Sequence, residues 1–70
     1  MALVNEEYYY VSYETKRGGS AIITTTDYET VVKKLISLFK KHLEATVRNN
    51  DIVIGKVWKE SKKWNYFLET

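Results

Sequence analysis

The chain has no cysteine and no proline, and only three glycines and one histidine among its 70 residues. Without thiols it can be neither a disulfide scaffold nor a cysteine-based zinc site. No apolar run approaches the ~18–20 residues that cross a bilayer, so no membrane partner is expected. A net charge of +2 with 44% apolar residues is too balanced and too apolar for a disordered tail. Seventy residues enclose one hydrophobic core, so residues 1–70 are expected to form a single small domain. The start, Met1-Ala2-Leu3-Val4-Asn5-Glu6-Glu7, lacks the basic residues and apolar stretch of a signal peptide. A soluble, cytoplasmic protein is the expectation.

Catalytic and cofactor signatures are missing as well. There is no paired-histidine metal motif, no glycine-rich phosphate loop and no nucleophile elbow. Gly18-Gly19 opens no helix, so it reads as a turn and not as an anion cradle. His42 lies near a helix end, where a surface imidazole suits the helix dipole. No enzyme activity, metal or cofactor is expected.

What is present is alternation and periodicity. Tyr8-Tyr9-Tyr10-Val11-Ser12-Tyr13 is rich in aromatic and β-branched residues and predicts a strand over about 7–15. Tyr9, Val11 and Tyr13 share one face of it, and Tyr8, Tyr10 and Ser12 the other. Lys16 to Ser20, with its paired glycines, predicts a hairpin turn. Ala21-Ile22-Ile23-Thr24-Thr25-Thr26 predicts the returning strand.

The helix signal follows at once. Thr26-Asp27-Tyr28-Glu29 fits a capping box. Tyr28, Val31, Val32, Leu35, Ile36, Phe39 and Leu43 then recur at steps of three and four. A helix is predicted from about Asp27 to Ala45, supported by Glu29–Lys33 and Lys40–Glu44 at i, i+4 spacing. Arg48-Asn49-Asn50-Asp51 reads as a turn. Ile52 to Trp58 predicts a third strand, in which Gly55 marks a bulge or a close approach. Lys59 to Lys63 predicts a turn, and Trp64 to Leu68 a fourth strand.

The expected fold is therefore α+β, in the order ββαββ. A single antiparallel four-stranded sheet, ordered 2-1-3-4, carries one helix on one face.

One helix covers one face of such a sheet, and the other face is ordinarily polar. Here at least two tyrosines must lie on the helix-free side, whichever parity holds. Trp58 and Trp64 share a face or oppose each other according to the length of the turn between them. Tyrosines on a sheet can serve as cross-strand partners with wet hydroxyls. Taken together, Tyr8, Tyr10, Trp58, Trp64 and Tyr66 are the candidate partner-binding residues, because exposed aromatic clusters mark interfaces.

Charge is unevenly spread. Residues 1–32 hold two basic and five acidic groups, net −3, and residues 33–70 hold nine basic and four acidic groups, net +5. Lys33, Lys40 and Lys41 on the helix, with Lys56, Lys59, Lys62 and Lys63 around the last hairpin, are the candidates for single-stranded nucleic-acid binding. Lysines there would neutralise phosphates and the tryptophans would stack bases. Lysines also keep sheet edges soluble, and few of the basic residues are arginine, which nucleic-acid surfaces favour.

In size, and in lacking cysteine, proline and catalytic signatures, the chain resembles the small accessory proteins of phages and other mobile elements. That resemblance implies a binder or inhibitor of a larger machine. The reading from the residues is a non-enzymatic interaction module, a homodimer or the binder of another protein, with nucleic-acid binding as the alternative.

Overall fold

A computed structural model describes residues 8–69. Its elements are β1 (Tyr9–Glu14), β2 (Ser20–Thr25), α1 (Tyr28–Lys41), β3 (Ala45–Asn49), β4 (Ile52–Glu60) and β5 (Lys63–Leu68). One antiparallel sheet ordered β2-β1-β3-β4-β5 carries the helix on one face, an α+β arrangement.

The sheet has five strands where the sequence predicts four. The additional strand, β3, sits between β1 and β4. The helical spacing puts Ala45 at the helix end and composition puts Arg48 and Asn49 in a turn, while Thr46 and Val47 fall in neither. The helix in fact stops at Lys41, because His42 adopts φ 59° and ψ 50°. The His42 amide donates to Phe39 O at 3.1 Å, and the Leu43 amide to Leu38 O at 3.0 Å, a Schellman closure built on a residue other than glycine. Leu43, the last residue of the expected stripe, thus follows the helix and leads into β3. The turn shrinks to Asn50-Asp51, with Asn50 at φ 57°.

At the other end the N-cap is Asp27, one residue beyond the expected Thr26. Asp27 is extended, and its Oδ1 accepts from the Glu29 amide at 3.2 Å while Oδ2 accepts from Thr30 Oγ1 at 2.8 Å. The buried stripe is Val31, Leu35 and Leu38. Leu38 lies outside the expected stripe, whereas Ile36, inside it, is 40% exposed. A single helix resting on a sheet buries a narrow seam, and that seam excludes Ile36.

Facing the helix are Tyr9 and Val11 of β1, Ala45 and Val47 of β3, and Val57 of β4. Fully burying side chains of this kind is worth ~1.5–3 kcal/mol each. Tyr28 links the start of the helix to the sheet: its ring meets that of Tyr9 edge-on at 5.7 Å, and its hydroxyl donates to Glu69 O at 2.8 Å. Gly55 adjoins a bulge and is itself a place of close approach. The β3–β4 register runs Val47↔Gly55 and then Arg48↔Val53, leaving Ile54 as the extra residue.

Candidate interaction surface

Alternation along the strands sorts the remaining side chains. With Tyr9, Val11 and Tyr13 turned to the helix, Tyr10, Ser12 and Glu14 of β1 occupy the opposite face. The pairing register carries this across the sheet. Ile22, Ser12, Thr46, Lys56 and Phe67 form one row, and Thr24, Tyr10, Arg48 and Val53 a second. Trp58 and Asn65 form a third pair. Among the described residues no element packs over this face.

Its centre of mass in aromatic carbon is Trp58. The indole is half-buried, its Nε1 donates to Glu60 Oε1 at 3.1 Å, and Phe67 meets it edge-on at 6.2 Å. Lys56 Nζ lies 5.8 Å from the ring centroid. Phe67 is 40% exposed, Val53 41% and Ile22 64%. A shallow hollow of about 440 Å³ adjoins Trp58, with Glu14, Glu44 and Lys56 on its walls and the hydroxyls of Ser12, Ser20 and Thr46 between them. The face therefore mixes rings, aliphatic side chains and charges of both signs.

The sequence-predicted residues divide between two surfaces. Tyr10 and Trp58 lie on the helix-free face, and Tyr8, exposed, immediately precedes β1. Trp64 and Tyr66 lie on the helix side. Trp64 stacks on His42, and Tyr66 packs against Phe39 with centroids 4.6 Å apart. The two-residue turn Ser61-Lys62 decides this. It pairs Trp58 with Asn65, and Trp64 with Lys59, so the tryptophans lie on opposite faces of the sheet.

The lysines divide likewise. Lys33, Lys40 and Lys41 are exposed on the helix, Lys59 is on the helix side of β4, and Lys62 is at a hairpin tip. Lys56 and Lys63 belong to the opposite face. Sequence reasoning missed Phe67, Ile22 and Arg48. A two-residue turn at Ser61-Lys62 is the signal that would have placed Phe67 beside Trp58.

Among the described residues, no group of three or more histidine or carboxylate side chains could hold a metal ion, and no helix is long and apolar enough to cross a membrane. No protein-family model matches the chain, and neither a curated protein nor a solved structure matches it.

Proposed function

We propose that this protein is a non-enzymatic interaction module whose helix-free sheet face packs against a second copy of itself. The observation that carries the reading is the Trp58–Phe67 pair, with Tyr10 further along the same face, on a side of the sheet that α1 does not cover. Tryptophan, tyrosine and arginine are enriched among the few residues that carry most of the binding energy at protein interfaces, and sheets pack face to face about 10 Å apart. Charge supports a like partner. Arg48, Lys56 and Lys63 share the face with Glu14 and Glu60, so a two-fold axis can set basic groups of one copy against acidic groups of the other.

Five strands at about 4.8 Å spacing and about 20 Å length present roughly 500 Å² per copy. Two such faces bury about 1,000 Å², the lower bound of specific interfaces. The association is accordingly weak and concentration-dependent. Single-stranded nucleic acid is the less favoured partner, because the helix lysines and Trp58 lie on opposite sides of the sheet.

Sedimentation velocity from about 1 μM to about 1 mM tests this, since that span covers the affinities such an area supports. The mass is expected to rise with concentration. Trp58→Ala combined with Phe67→Ala should weaken this association at least ~10-fold, and Lys41→Ala should not. An association indifferent to the double variant overturns the face-to-face reading. Salt-sensitive capture of a single-stranded oligonucleotide, lost in Trp58→Ala, overturns it in favour of nucleic acid.

A further inference from the structure

The sheet has two outer strands, and they are unequally protected. Folded proteins blunt such edges with charge, proline or bulges. β5 begins with Lys63, and just past its end the Glu69 carbonyl is taken by the Tyr28 hydroxyl at 2.8 Å, although its register with β4 is as regular as that of β2 with β1. β2 has none of these devices. Its six residues, Ser20-Ala21-Ile22-Ile23-Thr24-Thr25, carry no charge and no proline, and its register with β1 is unbroken.

The hydrogen bonds show which backbone groups are open. The Thr15 amide donates to Gly19 O at 2.9 Å, so the bonded pairs between β1 and β2 fall at Gly19, Ala21, Ile23 and Thr25. The other side of β1 agrees: the Glu14 amide donates to Glu44 O, and Tyr8 O accepts from the Asn50 amide, which turns the even-numbered residues of β1 toward β3. Ser20, Ile22 and Thr24 therefore direct their N–H and C=O groups away from the sheet. Among the described residues β2 pairs only with β1. Ile22 is the middle one of the three and has the side chain exposed at 64%.

We infer that β2 pairs antiparallel with β2 of a second copy about a two-fold axis at Ile22, extending the five-stranded sheet to ten strands. In that register Ile22 faces Ile22, Ser20 faces Thr24, and every outward group of the three residues finds a partner. A slip of one residue turns the open groups away from each other, and a slip of two leaves one of the three residues of each copy without a partner. Charge favours the same register. The hairpin carrying Lys16 and Arg17 arrives beside the partner's Asp27 and Glu29, at the acidic start of the helix. The axis stands perpendicular to the sheet, so the two helices lie on one side and the two helix-free faces join into one surface. This contact is separate from the face-to-face contact and stands without it.

The chain has no native cysteine, so single cysteines test the register directly. Opposed residues of a bonded antiparallel pair have Cα atoms about 5.5 Å apart, within reach of a short bis-thiol cross-linker though their Cβ atoms stand wider than a direct disulfide prefers. Two copies of Thr24 would lie about 14 Å apart, out of range. With a short bis-methanethiosulfonate cross-linker Ile22→Cys should cross-link at least ~10-fold faster than Thr24→Cys, and should do so also in the Trp58→Ala, Phe67→Ala background. Equal rates for the two cysteines, or no cross-link at Ile22, overturn the edge pairing. Loss of the cross-link in the Trp58→Ala, Phe67→Ala background overturns its independence. Ile22→Lys provides a second measurement. Made in the Trp58→Ala, Phe67→Ala background, it sets like charges against each other at the axis and should reduce the remaining dimerisation at least ~10-fold with an unchanged far-ultraviolet circular dichroism spectrum. Undiminished dimerisation of Ile22→Lys in that background overturns the inference.

Discussion

The imidazole of His42 lies flat on the indole of Trp64, with ring centroids 5.2 Å apart and planes within 5° of parallel. His42 is also the residue whose left-handed backbone ends α1. A left-handed residue other than glycine costs about 1–2 kcal/mol. A ring pair recovers about 0.5–1.5 kcal/mol. The single histidine of the chain therefore has a structural role, joining the end of the helix to β5.

Two substitutions separate those contributions. His42→Ala keeps the backbone cost and loses the stack, and should destabilise the fold by about 0.5–1.5 kcal/mol. His42→Gly loses the stack but relieves the backbone, and should be more stable than the alanine variant by about 1 kcal/mol. Urea unfolding followed by circular dichroism measures both. An alanine variant as stable as the glycine one contradicts the account of the cap.

Gly55 is confined by its neighbours. A Cβ there would lie 2.7 Å from Leu68 Cδ1, 3.2 Å from Phe67 O and 3.2 Å from Val47 Cβ. Leu68 can rotate away, but a backbone carbonyl and a buried Cβ have less freedom. Gly55→Ala is expected to cost about 1–3 kcal/mol in urea unfolding, as overpacking does. A neutral result would mean that the β4–β5 ladder shifts freely at the bulge.

The β4–β5 turn is strained in the opposite sense. Ser61 and Lys62 have φ of 53° and 69°, the pattern of a type I′ turn, for which Asn-Gly is the preferred sequence. Replacing the pair, Ser61→Asn with Lys62→Gly, should raise the unfolding midpoint and add about 1 kcal/mol. The same variant should leave the Trp58–Phe67 contact intact, because the turn length is unchanged. A loss of stability would show that Lys62 contributes more than its backbone conformation costs.

Much of this architecture is readable from local pattern. Val31 and Leu35 mark the helix by their spacing. Tyr9, Val11 and Tyr13 alternate with Tyr10 and Ser12, and the structure turns the first set to the helix. Strands β1, β2, β4 and β5 stand where aromatic and β-branched residues gather. β3 was hidden for two reasons. Leu43 and Glu44 continue the helical spacing beyond its true end, and Arg48-Asn49 resembles the start of a turn. The left-handed His42 has no glycine to announce it, so the stop is invisible to composition.

The candidate surface was half legible. Alternation assigns Tyr10 to the uncovered face as soon as Tyr9 is known to be buried. Trp58 and Phe67 required the turn length at Ser61-Lys62, since one residue more or less reverses the face of every side chain in β5. Local sequence, through propensity and period, dictated the elements and the amphipathic helix, because these depend on neighbours a few residues away. Strand order, the insertion of β3 and the separation of Trp58 from Trp64 were decided in three dimensions. They depend on hydrogen-bond registers between segments far apart in the chain, and a register is a property of the pair and not of either strand alone.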